Sequence, residues 1–386
     1  MKLPTADAVV VGGGIIGTAA TYYLAKAGLR VALVERRGIA GETSSACTDG
    51  LLLQTKAPGV KLAMARASIR LYRQLGEELG CDLEFRNEGA MITAATDAEL
   101  EYVRGLVERL RGDGIPVELL GGKAARELQP ALRSDLLAST YCSLDCHLNP
   151  LRVSAGFAGA AKRLGARVYV GTEVTGIDVQ HGRVVGVLTS GGRLETHTVV
   201  NAAGVRAPEI ARMAGQKLTV IPRRGQILVT GAIRPMIRGR IIGARYLMSK
   251  LGKAARSEEN PRAYSSGMLL GQQASGNVLV GATREYAGED PSTSHDAITD
   301  LARQLVQLVP GLADVQIIRA FAGLRPATPD GAPVIERCSE PEGLVVAAGH
   351  EGDGICLAPI TGKVVAGTVG GRIDNYHQFE SVADTR

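Results

Sequence analysis

Six residues near the start of the chain, Gly12-Gly13-Gly14-Ile15-Ile16-Gly17, carry the spacing GxGxxG. A residue without Cβ lets a strand turn sharply into a helix and lets backbone come close to a phosphate. Gly12 permits the tight turn, Gly14 the approach of a pyrophosphate, and Gly17 close packing of helix on strand. The helix N-terminus then offers free N–H groups and partial positive charge to a diphosphate. Glu35 follows 18 residues after Gly17. It is placed to accept from ribose hydroxyls, which favours an unphosphorylated adenosine ribose, as in FAD or NAD, over NADP.

Three further stretches hold residue types suited to the same work. Thr43, Ser44 and Ser45 lie in Gly41-Glu42-Thr43-Ser44-Ser45-Ala46-Cys47-Thr48-Asp49-Gly50. Their hydroxyls could reach phosphate oxygens or cap a helix, or the stretch is a simple loop. An apolar run ends in Asn201-Ala202-Ala203-Gly204, where small residues let backbone meet another part of a nucleotide. Ala347-Ala348-Gly349-His350-Glu351-Gly352-Asp353-Gly354-Ile355 opens a helix. Such a turn presents N–H dipoles that can stabilise negative charge on a bound ring's carbonyl. Cys142, Cys146 and His147 form a single cluster with no second one to complete four ligands, so no metal is expected.

The elements that must position these residues are legible in outline. A β-branched run over 7–11 predicts a buried parallel strand, 18–27 a helix ended by Gly28, and 30–34 a second strand. Helices are predicted at 60–80, 97–112, 153–164 and 296–308. Two short strands are expected within 83–94, further strands at 166–170 and 172–177, and a hairpin within 183–200. Strand-like segments at 225–230, 241–248, 267–272 and 277–283 suggest an antiparallel sheet in a second domain.

Length and composition agree with a globular two-domain chain: 386 residues, 45% apolar and 22% charged. Glycine supplies 49 residues, well above the usual ~7%, without a collagen period. With no Trp and only 14 Phe or Tyr, platforms for stacking nucleic-acid bases are not expected. Six scattered cysteines, no secretory leader and no apolar run of ~18 residues predict a cytoplasmic protein with reduced thiols. Net charge is +5, and residues 223–262 concentrate ten Lys/Arg against Glu258 and Glu259. That stretch is either a solvated face or a surface that meets a phosphate or an acidic partner.

Taken in order, four motifs make the chain resemble the FAD-dependent D-amino-acid oxidase superfamily, in the branch of glycine and sarcosine oxidases. They are the Gly12–Gly17 turn with Glu35, the 43–50 loop, Asn201-Ala202-Ala203-Gly204, and Gly323-Leu324-Arg325-Pro326 with the turn at 349–354. The wording of the 43–47 and 349–355 segments resembles the flavin subunits of opine oxidase, hydrogen cyanide synthase and D-hydroxyproline dehydrogenase. The resemblance implies an α/β protein, with a Rossmann-like FAD-binding domain (1–85, 146–220 and 320–386). A substrate domain on a mixed or antiparallel sheet takes 86–145 and 221–319. It implies oxidation of an amino-acid C–N bond by hydride transfer to flavin N5, on an opine, proline or hydroxyproline, or glycine type of substrate. FAD contacts are implied at Gly12, Gly14, Ile15, Ile16, Gly17, Glu35, Arg36, Thr43, Ser44, Ser45, Val174, Ala203, Gly204, Gly323, Gly352, Asp353, Gly354 and Ile355.

On the same ground, Arg325 would hold the substrate carboxylate, Tyr246 would be an active-site tyrosine on a strand, and His350 would stand beside the flavin. Glu351 would pair with a basic substrate tail or with Arg325. Cys338 and Cys356 lie away from the position that binds flavin covalently in sarcosine oxidase, so FAD is expected to be dissociable. The multi-subunit members imply a redox partner subunit and an FMN shared with it. Two rival readings use the same turn: an FAD-containing assembly or electron-transfer subunit without a substrate, and an NAD-linked dehydrogenase.

Overall fold

The computed structural model describes residues 3–251 and 264–383. In chain order the first half runs β1 (Ala8–Val11), α1 (Ile15–Lys26), β2 (Val31–Glu35), β3 (Gly50–Leu51), α2 (Val60–Leu79), β4 (Ala90–Ala94), α3 (Asp97–Gly112), β5 (Val117–Gly121), α4 (Gly122–Leu128), β6 (Ala138–Cys142), β7 (Cys146–His147) and α5 (Pro150–Arg163). There follow β8 (Arg167–Val170), β9 (Val174–Gln180), β10 (Arg183–Thr189), β11 (Gly192–Glu195), β12 (Val199–Asn201), α6 (Ala207–Met213), β13 (Ile221–Thr230), β14 (Arg240–Gly243), α7 (Ala244–Leu251), β15 (Ser265–Gln272) and β16 (Val278–Arg284). The chain closes with α8 (His295–Leu308), β17 (Ile317–Ala327), β18 (Val334–Arg337), β19 (Leu344–Ala348), α9 (Gly354–Val369) and α10 (Glu380–Ala383).

Two large sheets carry the molecule. The first has the order β18-β19-β12-β1-β2-β8 and is parallel except where β18 pairs with β19. Its central strand β1 is buried along its whole length, as a continuous Ala-Val-Val-Val run requires. Helix α1 leaves β1 through the glycine turn and is enclosed on most sides. Its two internal threonines stay satisfied, because Thr18 Oγ1 donates to Gly14 O and Thr21 Oγ1 to Gly17 O. Gly28, at φ +87°, ends it as expected.

The second sheet has the order β17-β13-β16-β15-β14-β4-β6-β5 and is antiparallel except for β14 beside β4. The strand β17 belongs to it, paired along β13 from Ile221–Ala327 to Thr230–Ile317. Smaller sheets β9-β10-β11 and β3-β7 complete the architecture.

Three local expectations change. The 241–248 segment is a strand only to Gly243 and then a helix, since Ala244-Arg245-Tyr246-Leu247-Met248 are all helix-compatible residues. Within 83–94 the one strand is β4, with an isolated bridge from Arg86 to His147. The hairpin in 183–200 closes by Glu195, and β12 crosses to the parallel sheet.

Candidate functional site

A long cleft runs between the two sheets, from the glycine turn after β1 to the start of α9 and on to β13, β17 and α7. With its open mouth included it spans about 1520 Å³ of empty space.

At one end the lining is mostly backbone. Gly12 has φ +108°, and a Cβ there would lie 2.5 Å from Ala202 O. A Cβ on Gly17 would lie 1.9 Å from Gly12 O, so only glycine lets α1 start this close to the strand. Gly14 faces Ser44 Oγ, which would be 3.3 Å from an added Cβ and accepts from Ile15 N at 3.0 Å. Glu35 is fixed by two backbone donors, Gly13 N to Oε2 and Arg37 N to Oε1, each at 2.6 Å. Arg36 pairs with Glu42. Ile15, Ile16, Val174, Ala203 and Gly204 complete this lining.

The hydroxyl loop divides its labour. Ser44 faces the turn, Thr43 Oγ1 donates to Leu324 O at 2.7 Å and ties the loop to β17, and Ser45 Oγ donates to Glu42 O at 2.9 Å. Thr43 and Ser44 line the cleft, and Ser45 lies outside it. Gly323 also sits behind the lining: a Cβ there would be 2.3 Å from Ala46 O. The expectation for both is a cofactor contact; the structure gives them the task of seating the loop.

Helix α9 points its N-terminus at the cleft, where Gly352, Gly354 and Ile355 line the wall. The first N–H groups of a helix have no partner within it. Asp353 departs from expectation. Its carboxylate is buried and turns to Lys56 Nζ (2.9 Å) and Lys61 Nζ (2.6 Å) instead of the cleft. Burial works against the charged form of Lys56, yet the Asp353 carboxylate outweighs it and holds the ammonium above its ordinary pKa. Behind this pair, Asp145 accepts from Leu53 N and Gln54 Nε2, and burial lifts its carboxyl to about 6. His350 lines the cleft with Nε2 3.1 Å from Thr361 Oγ1. Burial, helped by Lys61, depresses it to about 3, so the ring is neutral at physiological pH.

At the other end Arg325 and Glu351 line the cleft, with Arg223 and Arg284 packed against them. Arg325 on β17 and Arg223 on β13 are cross-strand partners. Arg325 Nη1 donates to Thr283 O at 3.1 Å, and its guanidinium lies over Gly225, where a Cβ would come within 2.2 Å of Nη2. Arg284 Nη1 donates to Glu351 Oε1 at 2.7 Å and Nη2 to Tyr246 Oη at 2.8 Å. Tyr246 therefore reaches the cleft from α7, not from a strand. Glu351 sits at φ +49°, held by Arg284 and by Gly352 N on Oε2. Burial and then the Arg284 charge lower the pKa of both Arg325 and Arg223. Sequence reasoning misses Arg223, Arg284, Lys56 and Lys61 as the cations that support the site from behind its lining, because nothing local distinguishes them from surface cations.

The basic stretch is split by the fold. Arg223, Arg224 and Arg240 are buried, Arg224 with Glu285 (3.0 Å) and Asp290 (2.5 Å), Arg240 with Asp49. Arg234, Arg238 and Arg245 are exposed, and the part of the stretch at 252–262 lies outside the described residues. The six cysteines are free thiols. Cys47 lines the cleft with its pKa pushed up to about 12 by burial, and Cys338 and Cys356 lie elsewhere. Cys146 Sγ donates to Asn87 Oδ1, and His147 pairs with Glu88. Among the described residues no group of His, Cys, Asp or Glu is arranged to hold a metal, and no helix is long and apolar enough to cross a membrane.

The sequence profile of the DAO family, described as FAD dependent oxidoreductase, matches residues 7–368. Glycine oxidase of Geobacillus kaustophilus is 30% identical over 374 residues, covering 94% of this chain and 92% of that protein. A hydrogen cyanide synthase subunit of Pseudomonas aeruginosa is 28% identical over 404 residues, covering 94% and 91%. The crystal structure of L-proline dehydrogenase from P. horikoshii superposes with a TM-score of 0.85 at 27% identity, covering 98% of this chain and 99% of that one.

Proposed function

The chain belongs to the FAD dependent oxidoreductase family, and from that premise we propose that it oxidises the C–N bond of an amino acid or N-substituted amino acid. The substrate is of the glycine, proline or opine type, and the enzyme works as the flavin subunit of a larger dehydrogenase. Relatives named glycine oxidase and hydrogen cyanide synthase subunit support the chemistry and the setting.

The residues present fit a dissociable FAD. Gly12, Gly14, Ile15 and Ser44 would cradle the diphosphate, Glu35 the adenosine ribose, and the start of α9 the flavin ring. When bound, FAD supplies the acceptor for a hydride leaving the amine-bearing carbon. We assign the nucleotide part to 1–85, 146–220 and 328–386 and the substrate part to 86–145 and 221–327, which moves the expected boundary at 320 to the end of β17 because that strand pairs along β13.

The observation that carries this reading is the Arg325 guanidinium beside Tyr246 at the end of the cleft opposite Glu35. A planar fork binds a carboxylate through two parallel hydrogen bonds and so fixes the rest of the substrate. Held there, the substrate meets a net positive wall, which disfavours its ammonium form and so favours the neutral amine that hydride loss requires. The product imine then takes up water and yields an oxo acid or aldehyde and an amine. His350, neutral and bonded to Thr361, packs and orients this wall and is not assigned a proton transfer.

Anaerobic addition of glycine, N-methylglycine, proline or iminodiacetate to FAD-loaded protein tests the proposal. At least one should bleach the visible flavin band, and a spectrum unmoved by all of them defeats it. In the Arg325→Ala variant the Kd of the reducing amine should rise about 10- to 150-fold with FAD retained, the loss of a charged hydrogen bond.

A further inference from the structure

One cation packed against the cleft residues Arg325 and Glu351 has no counterpart in the chemistry derived so far. The residue Arg223 is only 9% exposed. Among the described residues its guanidinium makes no hydrogen bond, and its Nε is buried without a partner. The nearest anion, Glu351 Oε1, stands 3.8 Å from Nη1 and already accepts from Arg284 at 2.7 Å. The other oxygen of Glu351 accepts from Gly352 N. What holds the Arg223 plane is the Tyr286 ring, 5.4 Å from its central carbon. Buried guanidinium groups are otherwise hydrogen-bonded, since desolvation without a partner is costly.

Its position is as telling as its lack of hydrogen bonds. Arg223 lies directly across from Arg325 in the β13–β17 ladder, which puts their Cβ atoms on one face about 4.5–5.5 Å apart. Arg284 joins them because the β13–β16 pairing slips by one residue between Ile227–Gly281 and Arg224–Glu285. Neighbouring Arg224 points the other way, into Glu285 and Asp290. Among the described residues, three guanidinium groups thus stand around one carboxylate, Glu351, an excess of two positive charges. A substrate with one carboxylate and a neutral amine would leave one of them unanswered. A substrate with two carboxylates would answer both.

We infer that Arg223 is the anchor for a second substrate carboxylate, and that this enzyme acts on an amino- or iminodicarboxylate. The first carboxylate lies at Arg325, the second at Arg223, and the reacting C–N bond between them. Arg284, with two nitrogens committed to Glu351 and Tyr246, is the fixed charge that keeps this wall positive. The inference rests on the proposed C–N oxidation for its substrate class, but the anion subsite itself does not depend on turnover.

The test separates the two. Thiodiglycolate and (methylthio)acetate mimic a dicarboxylate and a monocarboxylate amine, with sulfur in place of nitrogen, and neither can be oxidised at a C–N bond. Each is titrated into the FAD-loaded protein and followed by the perturbation of the flavin spectrum. Thiodiglycolate should bind at least about 10-fold tighter, as expected for one added charged hydrogen bond. In Arg223→Gln that preference should fall to near one, and Arg223→Lys should keep part of it. Equal affinities in the wild type overturn the inference, as does an unchanged preference in FAD-loaded Arg223→Gln. Should Arg223→Gln fail to load FAD, the wild-type ratio and Arg223→Lys still decide. Iminodiacetate and N-methylglycine, added anaerobically, then test the reaction. A thiodiglycolate preference without bleaching keeps the subsite and removes the reaction, and bleaching without a preference does the reverse.

Discussion

The two ends of the cleft are made of different materials. Around Gly12, Gly14 and Ser44 the wall is backbone, positioned by glycines whose missing Cβ atoms leave the space. Around Arg325 and Tyr246 the wall is side-chain charge, delivered by β13, β16, β17, α7 and the loop before α9. The first kind of site is set by a turn of a few consecutive residues. The second exists only once strands more than 60 residues apart have paired, as Arg224 and Glu285 do. A change at the first end should act through space and geometry, and a change at the second through charge.

The strongest way to break this contrast is Gly17→Val. A side chain there would overlap Gly12 O, and backbone on both sides has nowhere to go. Overpacking of this kind costs about 1–3 kcal/mol or more, and the turn that holds the diphosphate would open. Purified Gly17→Val should carry no FAD. If it binds FAD stoichiometrically, the turn tolerates movement and the backbone description of this end is wrong.

Next comes the junction. Lys56 reaches from the segment before α2 to Asp353 at the start of α9, so it anchors the helix that both ends share. Lys56→Met removes one partner of a buried pair, which typically costs about 3–5 kcal/mol. Chemical denaturation of the FAD-loaded protein should show a loss in that range, trimmed by the surviving Lys61 contact. A loss below about 1 kcal/mol would assign the anchoring to Lys61 alone.

Asp145, beneath the same junction, predicts a pH dependence. Burial raises its pKa from an ordinary 3.8 to about 6 in the fold. The folded state therefore holds this proton more tightly than the unfolded chain does. The stabilisation, about 3 kcal/mol, is present below about pH 4 and is lost as pH rises towards 6. Denaturation of wild type and Asp145→Asn across that interval isolates the effect. The wild type should lose stability relative to the variant as pH climbs, and parallel curves would show that Asp145 titrates normally.

The same contrast explains how much of the molecule is legible in its sequence. The segment from Ala8 to Glu35 reads directly, because strand, glycine turn, helix and acid are contiguous and each glycine has one steric reason. Arg325 is recognisable through its Gly-Leu-Arg-Pro setting. Arg223 and Arg224, side by side in sequence, read as one basic patch. The pleat sends them to opposite faces, and their partners lie about 60 to 130 residues away. Tyr246 reads as a strand residue because Arg240-Ile241-Ile242 is a strand, and nothing in the pattern marks Gly243 as its last residue. Asp353, next to three lining residues, passes for a fourth. Only the fold brings Lys56 and Lys61 under it.

The smallest expected effect is the sharpest probe of the backbone end. Glu35 holds two backbone N–H groups there, from Gly13 and from Arg37. Glu35→Gln keeps the length of the side chain and leaves one acceptor oxygen, so one of the two bonds survives and the turn keeps its path. The oxygen lost is also one that, in the proposed FAD complex, would accept from a ribose hydroxyl. A single net hydrogen bond is worth about 0.5–1.5 kcal/mol, so the Kd for FAD should rise roughly 2- to 10-fold. FMN ends at its first phosphate and has no adenosine ribose, so its affinity should not change. Titration of both into apoprotein of wild type and variant measures the difference. If FAD and FMN weaken together, Glu35 acts by shaping the glycine turn and not by touching the ribose, and even the charge at this end serves the backbone.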